Sequence, residues 1–182
     1  MVQEIKQYKT ADLVLQVSKN YNPVTLNLAA WDRYLDILCS DRQYQKEAIH
    51  KAIIFLASGI YNNIEALVNE NWLNPKMVEL KNLYQTVTDY EHHLQMRNKL
   101  SANIDLATGT GKSYVIYGIA QIMLSLGFVD RVLVLCPSIT IEDGLLEKFR
   151  KLAEDPALLK AIPDESKFKN PSIKTADITI KE

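Results

Sequence analysis

Long apolar runs are what this sequence most plainly lacks. No stretch of its 182 residues approaches the length needed to span a bilayer, and the start, MVQEIKQYKTADLVLQV, has no continuous apolar segment of the kind a signal peptide carries. The expectation is a cytoplasmic chain without a membrane partner. Cysteine is scarce: Cys39 and Cys136 stand far apart with no metal-ligand spacing and no histidine partner pattern, so they read as reduced, packed thiols. Charge of one sign is also missing. With 21 Lys and Arg against 22 Asp and Glu the formal net charge is -1, so there is no global basic field, and any nucleic-acid contact must come from local lysines and arginines. Internal repeats and low-complexity segments are absent. What is present is 47% hydrophobic residues, enough for one ordinary soluble domain with a real core.

The first hundred residues read as mainly helical. Leu13, Leu15 and Val17 alternate as a weak strand signal before NYNP breaks the chain. From Thr25 to Leu38, apolar Leu28, Trp31, Tyr34, Leu35 and Leu38 recur at helical spacing, and Tyr44, Ala48, Ile49, Ala52, Ile53, Leu56 and Ile60 trace a second stripe. Residues 61–100 continue in this style, with Asn74-Pro75 marking a helix start and Val78, Leu83, Val87, Tyr90 and Leu94 inside the helix. Trp31 and Trp72 read as core aromatics. His92 and His93 are adjacent on a helical pattern, point in different directions and read as surface or partly packed residues rather than metal ligands.

The pattern changes at Ala102. NIDLA is short and apolar enough for a buried strand, and ATGTGKS follows it directly. Val115, Ile116, Ile119, Ala120, Ile122, Met123 and Leu126 then make a helix apolar over much of its surface, stopped at Gly127. RVLVLCP is a continuous apolar run ended by proline, a candidate central strand. TIEDGLLEKFRKLAED restores helical spacing, with Thr140 and Asp143 placed as a capping box. The cluster Lys148, Arg150 and Lys151 reads as a solvated helix face. A polar tail runs into ADITIKE, which looks like the beginning of another strand. Strand, helix, strand, helix in that order predicts an α/β fold with a parallel sheet and right-handed crossovers.

A phosphate held at the end of a strand needs backbone N–H groups converging on it, and only residues without a side chain let the main chain wrap that closely. Gly109 and Gly111 supply this. Lys112 is placed to reach the β- and γ-phosphates, Ser113 offers a hydroxyl to Mg2+, and the helix that starts there points its positive end at the anion. Thr108 and Thr110 complete the loop. The plainer alternative is a glycine turn with a solvated lysine. The full pattern G-x-x-x-x-G-K-[ST] asks for glycine at position 106, where this chain has Leu106.

That departure fits one branch of the phosphate-loop proteins. ATGTGKS, residues 107–113, resembles motif I of superfamily 2 helicases and translocases, and the form with an apolar residue just before it is similar to that of type I and type III restriction-enzyme motor subunits. DRQYQKEAI, residues 41–49, resembles the R-x-Y-Q segment upstream of motif I, in which the glutamine, here Gln45, reads the adenine edge. A glutamine amide both donates to and accepts from adenine, so the chemistry suits the residue. RVLVLCPSITI, residues 131–141, resembles motif Ia, whose loop touches the nucleic-acid backbone. The resemblance implies a partial RecA-like sheet over residues 101–182, the first part of an ATPase domain, preceded by a mainly helical region, residues 1–100, with the adenine segment at 41–49 and a helical insertion at 61–100. It also implies ATP and Mg2+ on Thr108 to Ser113, with Lys112 catalytic, Ser113 on the metal, and Gln45 and Arg42 near the adenine. The implied partners are double-stranded DNA and a methyltransferase or specificity subunit.

Hydrolysis in such motors needs an acidic pair, the D-E-x-x box, at the end of another strand to hold Mg2+ and orient water. No apolar run here ends in such a pair: IEDG and AED lie in helical patterns, and Asp177 precedes an apolar stretch. The chain is therefore expected to be the N-terminal part of a longer motor, inactive alone. The alternatives are a nucleotide-binding module without turnover, a DNA-repair type superfamily 2 helicase, and, disfavoured by Leu106, a small-molecule kinase.

Overall fold

The computed structural model describes residues 14–175. They cluster into two units, residues 14–22 with Ile54–Ile104, and Pro23–Ile53 with residues 105–175. Residues 23–53 therefore share a unit with the glycine loop rather than with residues 54–100.

In the loop-bearing unit the first apolar stripe forms a 3-10 turn, Ala29–Trp31, that runs into α1 (Asp32–Cys39). The helix starts four residues later than its expected Thr25, because the Asn27 side chain accepts the N–H of Ala30 at 3.3 Å and starts the turn there. The second stripe is α2 (Gln43–Ala57), which stops short of Ile60 because Gly59 takes a left-handed φ of 75°. The helix after the loop is α6 (Lys112–Ser125), ended at Gly127 with φ 72°, as its sequence suggests. The next helix is α7 (Ile139–Ala153). Its cap is Ser138, whose hydroxyl accepts from Ile141 N, and not the expected Thr140 and Asp143 box, since Thr140 already lies in the first turn. A further short helix, α8 (Pro156–Ala161), begins at Asp155, whose carboxylate accepts the N–H groups of Ala157 and Leu158 at 2.8 and 3.1 Å. The core of this unit holds Trp31, Tyr34, Leu35, Leu38, Ile49, Val115, Ile122, Phe149 and Leu158, all buried. Cys39 is buried beside them, and burial pushes its thiol up to about 11, which suits a packed, unreactive cysteine. Gln121 and Ser125 are buried polar residues of α6; both donate to the Phe168 carbonyl and so tie the tail to the helix.

In the other unit, α3 (Ile64–Leu73) is capped by Asn63, which accepts Ala66 N at 2.9 Å. The long helix expected after Asn74-Pro75 is two helices, α4 (Val78–Leu83) and α5 (Val87–His92). The break falls where Thr86 uses its hydroxyl to accept Asp89 N at 3.0 Å, a local bond that competes with a continuous helix. Phe55, Tyr61, Ile64, Leu67 and Val68 form the core, with Leu15 and Val17 packed on it. Leu13 lies outside the described residues. Residues 14–17 form no strand; the Gln16 backbone pairs instead with the Asn71 side chain, N–H to Oδ1 at 2.7 Å and carbonyl from Nδ2 at 2.9 Å. Trp72 is half-buried, so it is not the core aromatic expected of it, and His92 and His93 are exposed.

No strand occurs among the described residues. The expected strand segments 103–107 and 131–136 carry no regular structure there, and ADITIKE, residues 176–182, lies outside them. A parallel sheet needs ladder partners, and the described residues display none. None of their helices is long and apolar enough to cross a membrane.

Candidate functional site: a glycine loop held by helix α2

Residues 107–113 make a tight turn that leads into α6. Thr110 folds back on Ala107, its N–H and Oγ1 both donating to the Ala107 carbonyl, at 3.3 and 2.6 Å. Gly109 and Gly111 flank it with φ of 81° and 78°, a region L side chains rarely adopt. Around Gly109 the space is open, so backbone conformation alone calls for glycine. Gly111 has a second reason, because a Cβ there would lie 2.6 Å from Gln45 Nε2 and 3.0 Å from Tyr114 Cδ2.

Gln45 is 65 positions from Thr110 in sequence, yet its Nε2 donates to the Thr110 carbonyl at 2.5 Å. The Tyr44 hydroxyl donates to the same carbonyl at 3.0 Å. In a trans peptide the carbonyl and the following N–H point opposite ways, so pulling the Thr110 carbonyl toward α2 turns the Gly111 N–H away from it. The segment 41–49 thus sets the orientation of one loop peptide. Gln45 is fully buried, and its Oε1 has no hydrogen-bond partner among the described residues. An acceptor left so costs about 1–3 kcal/mol until a donor reaches it.

Lys112 is the first residue of α6 and is exposed; Ser113 follows, half-buried. The fourteen-residue helix directs the positive end of its dipole at the loop. Thr108 is exposed and Thr110 half-buried. Arg42 is exposed, with its guanidinium carbon 5.9 Å from the centroid of the Tyr114 ring. Lys148 Nζ lies 3.9 Å from the same centroid. Of the two residues expected near a nucleotide, the structure thus brings Gln45 to the loop and Arg42 to the Tyr114 ring that follows it.

Three residues beyond the expected set join them. Tyr44 sits inside the R-x-Y-Q segment and Tyr114 directly after Ser113, so both were visible in position but not in role. Lys148 departs from the solvated face expected of it, since it is half-buried over an aromatic ring, whereas Arg150 is exposed and Lys151 pairs with Glu147 at 2.5 Å. Nothing in α7 alone signals that partnership.

A cavity of about 530 Å³ in the unit that holds Ile54–Ile104 is no rival for a phosphate. Its Arg97 is paired with Glu65 at 3.2 Å, and Glu91 leaves an acidic excess. Among the described residues no group of three or more His, Cys, Asp or Glu could hold a metal ion.

Residues 38–181 match the family described as type III restriction enzyme, res subunit. No curated protein and no solved structure matches the chain. The matched span takes in the R-x-Y-Q segment, the glycine loop and α6 together, and on it the chain belongs to the family of type III restriction enzyme res subunits, a family of helicase-type ATPases.

Proposed function

We propose that the chain is the ATP-binding part of a DNA-dependent ATPase, the motor of a type III restriction endonuclease acting in the cytoplasm. The observation that carries this reading is the hydrogen bond from Gln45 to the Thr110 carbonyl, between two left-handed glycines. It joins the segment that resembles an adenine motif to the loop that resembles motif I. The residues fit Mg-ATP: open space at Gly109, a lysine at the helix start, and a buried glutamine oxygen in want of a donor. The exocyclic amine of adenine is such a donor.

Under this reading Thr108 to Ser113 hold the phosphates, Lys112 neutralises the β- and γ-phosphates, and Ser113 offers its hydroxyl to Mg2+. Gln45 and Arg42 lie on the side of the base. Bound Mg2+ supplies charge neutralisation at the terminal phosphates. Segments 103–107 and 131–136 belong, in this proposal, to a RecA-like sheet, and the loop after residue 136 faces duplex DNA. Turnover needs the acidic pair that no apolar run of this sequence supplies, so hydrolysis and movement along DNA are properties of the intact motor, working with a methyltransferase or specificity subunit.

The test is a titration with a fluorescent ATP analogue and Mg2+, on this chain and on Lys112→Ala. Saturable binding is expected in the parent, weakened at least about tenfold in the variant, a loss of about 1.4 kcal/mol. Equal binding by both proteins would sink the reading.

A further inference from the structure

Tyr114 is not accounted for by the phosphate-binding role of its neighbours. It stands in the first turn of α6, directly after Ser113, and its half-buried ring borders Gly111: Cδ2 and Cε2 would lie 3.0 and 3.6 Å from a Cβ placed there. The point those atoms border is also bordered by the Gln45 amide. Gln45 is fully buried with an unsatisfied Oε1, so an amide with one unpaired acceptor and the edge of an aromatic ring lie side by side at the loop. The ring already carries a cation, Lys148 Nζ at 3.9 Å from its centroid, and Arg42 approaches it at 5.9 Å. Neither cation is paired with a carboxylate among the described residues.

A ring held beside a phosphate loop, next to an amide whose buried oxygen lacks a partner, has the two elements that recognise a nucleobase: a π system for stacking and an amide for hydrogen bonding. We propose that Tyr114 is the base platform of this site, a specificity-determining residue on which the nucleotide's base stacks, taking the face that Lys148 covers in the free protein. An ammonium lying on a half-exposed ring is a weak contact that a stacked base outcompetes. Lys148 then acts as a placeholder, keeping the ring face from collapsing onto neighbouring side chains. The inference rests on the nucleotide-binding reading above.

The experiment compares Mg-ATP with Mg-tripolyphosphate, which has the phosphates and no base, by calorimetric titration of the wild-type chain, Tyr114→Phe and Tyr114→Leu. Leucine keeps most of the volume and removes the π face; phenylalanine keeps the face and removes the hydroxyl. Tyr114→Leu is expected to weaken ATP about tenfold and leave tripolyphosphate within about twofold, while Tyr114→Phe changes neither by more than about twofold. Equal weakening of both ligands in Tyr114→Leu would overturn the proposal, because the ring would then act by shaping the loop. An unchanged ATP affinity in that variant would overturn it too. Wild-type protein that takes up neither ligand would overturn the phosphate-loop reading itself, whereas wild-type protein that binds tripolyphosphate and shows no preference for ATP would overturn the base platform alone.

Discussion

His50, which approaches Asp32 of α1 from α2, shows how burial sets a titration. Its Nε2 is buried without a hydrogen-bond partner and lies 3.8 Å from Asp32 Oδ1, while Lys46 holds Asp36 at 2.8 Å and Asp32 at 3.3 Å. Burial lowers the His50 pKa below its ordinary 6.5 and outweighs the raising effect of Asp32, with Lys46 adding to the decrease. The unfolded chain therefore binds this proton more readily than the folded one, so the contribution is fully present above pH 6.5 and is lost as pH falls from there toward the lower folded value. Urea midpoints measured at pH 7.5 and 5.5 are expected to drop more for the wild type than for His50→Gln, which has nothing to titrate there. An identical drop in both would refute this account. At this scale the sequence is legible where a residue's backbone demands it: Gly109 and Gly111 sit at φ of 81° and 78°, and their spacing before Lys112 announces them. It is not legible where partners come from afar. Tyr114 and Lys148 meet across two helices, and no local spacing encodes a ring under an ammonium.

The helices followed their apolar periods, and their ends followed hydrogen-bond chemistry that the periods do not contain. Asn27, Thr86 and Ser138 each place a boundary by capping an N–H group, which is why the expected start at Thr25, the continuous helix after Pro75 and the Thr140 cap all shifted. α8, at six residues, is too short for an apolar period to show. The contact that seats α6 is Gly118, where a Cβ would fall 2.7 Å from Ile49 Cδ1 and 2.9 Å from Leu38 Cδ2. Both atoms are side-chain tips, but Ile49 and Leu38 are themselves buried in the core and have little room to yield. Gly118→Val should lower the unfolding free energy by about 1–3 kcal/mol, the usual cost of overpacking, read as a fall in the urea midpoint at constant slope. An unchanged midpoint would mean that α6 is not seated by this approach. Because α6 begins in the glycine loop, the variant should also weaken nucleotide binding in proportion to any displacement of its first turn.

On the scale of the whole molecule, pairing of extended segments decides the fold, and pairing is the property least visible in one short run of sequence. Strand potential in 131–136 rests on continuous apolar residues, yet Val132, Leu133 and Leu135 are 44%, 68% and 75% exposed, and no strand is formed among the described residues. Apolar side chains and backbone groups so arranged are a template awaiting neighbours. The RecA-like sheet proposed here supplies them when the segment lies between others, one of which ends in the acidic pair. Amide hydrogen exchange separates the alternatives, because a ladder hydrogen bond protects an N–H and an unpaired one does not. In this chain the amides of Val132 to Leu135 should exchange far faster than those of Ile119 to Ile122 inside α6. In a longer chain that carries the acidic strand, protection at Leu133 should rise by at least about tenfold, in step with the appearance of ATP hydrolysis. Leu133 exchanging freely in both chains would sink the parallel sheet and leave a helical nucleotide-binding module. Protection already complete in the shorter chain would place the missing partner within these 182 residues and separate the formation of the sheet from the arrival of the acidic motif.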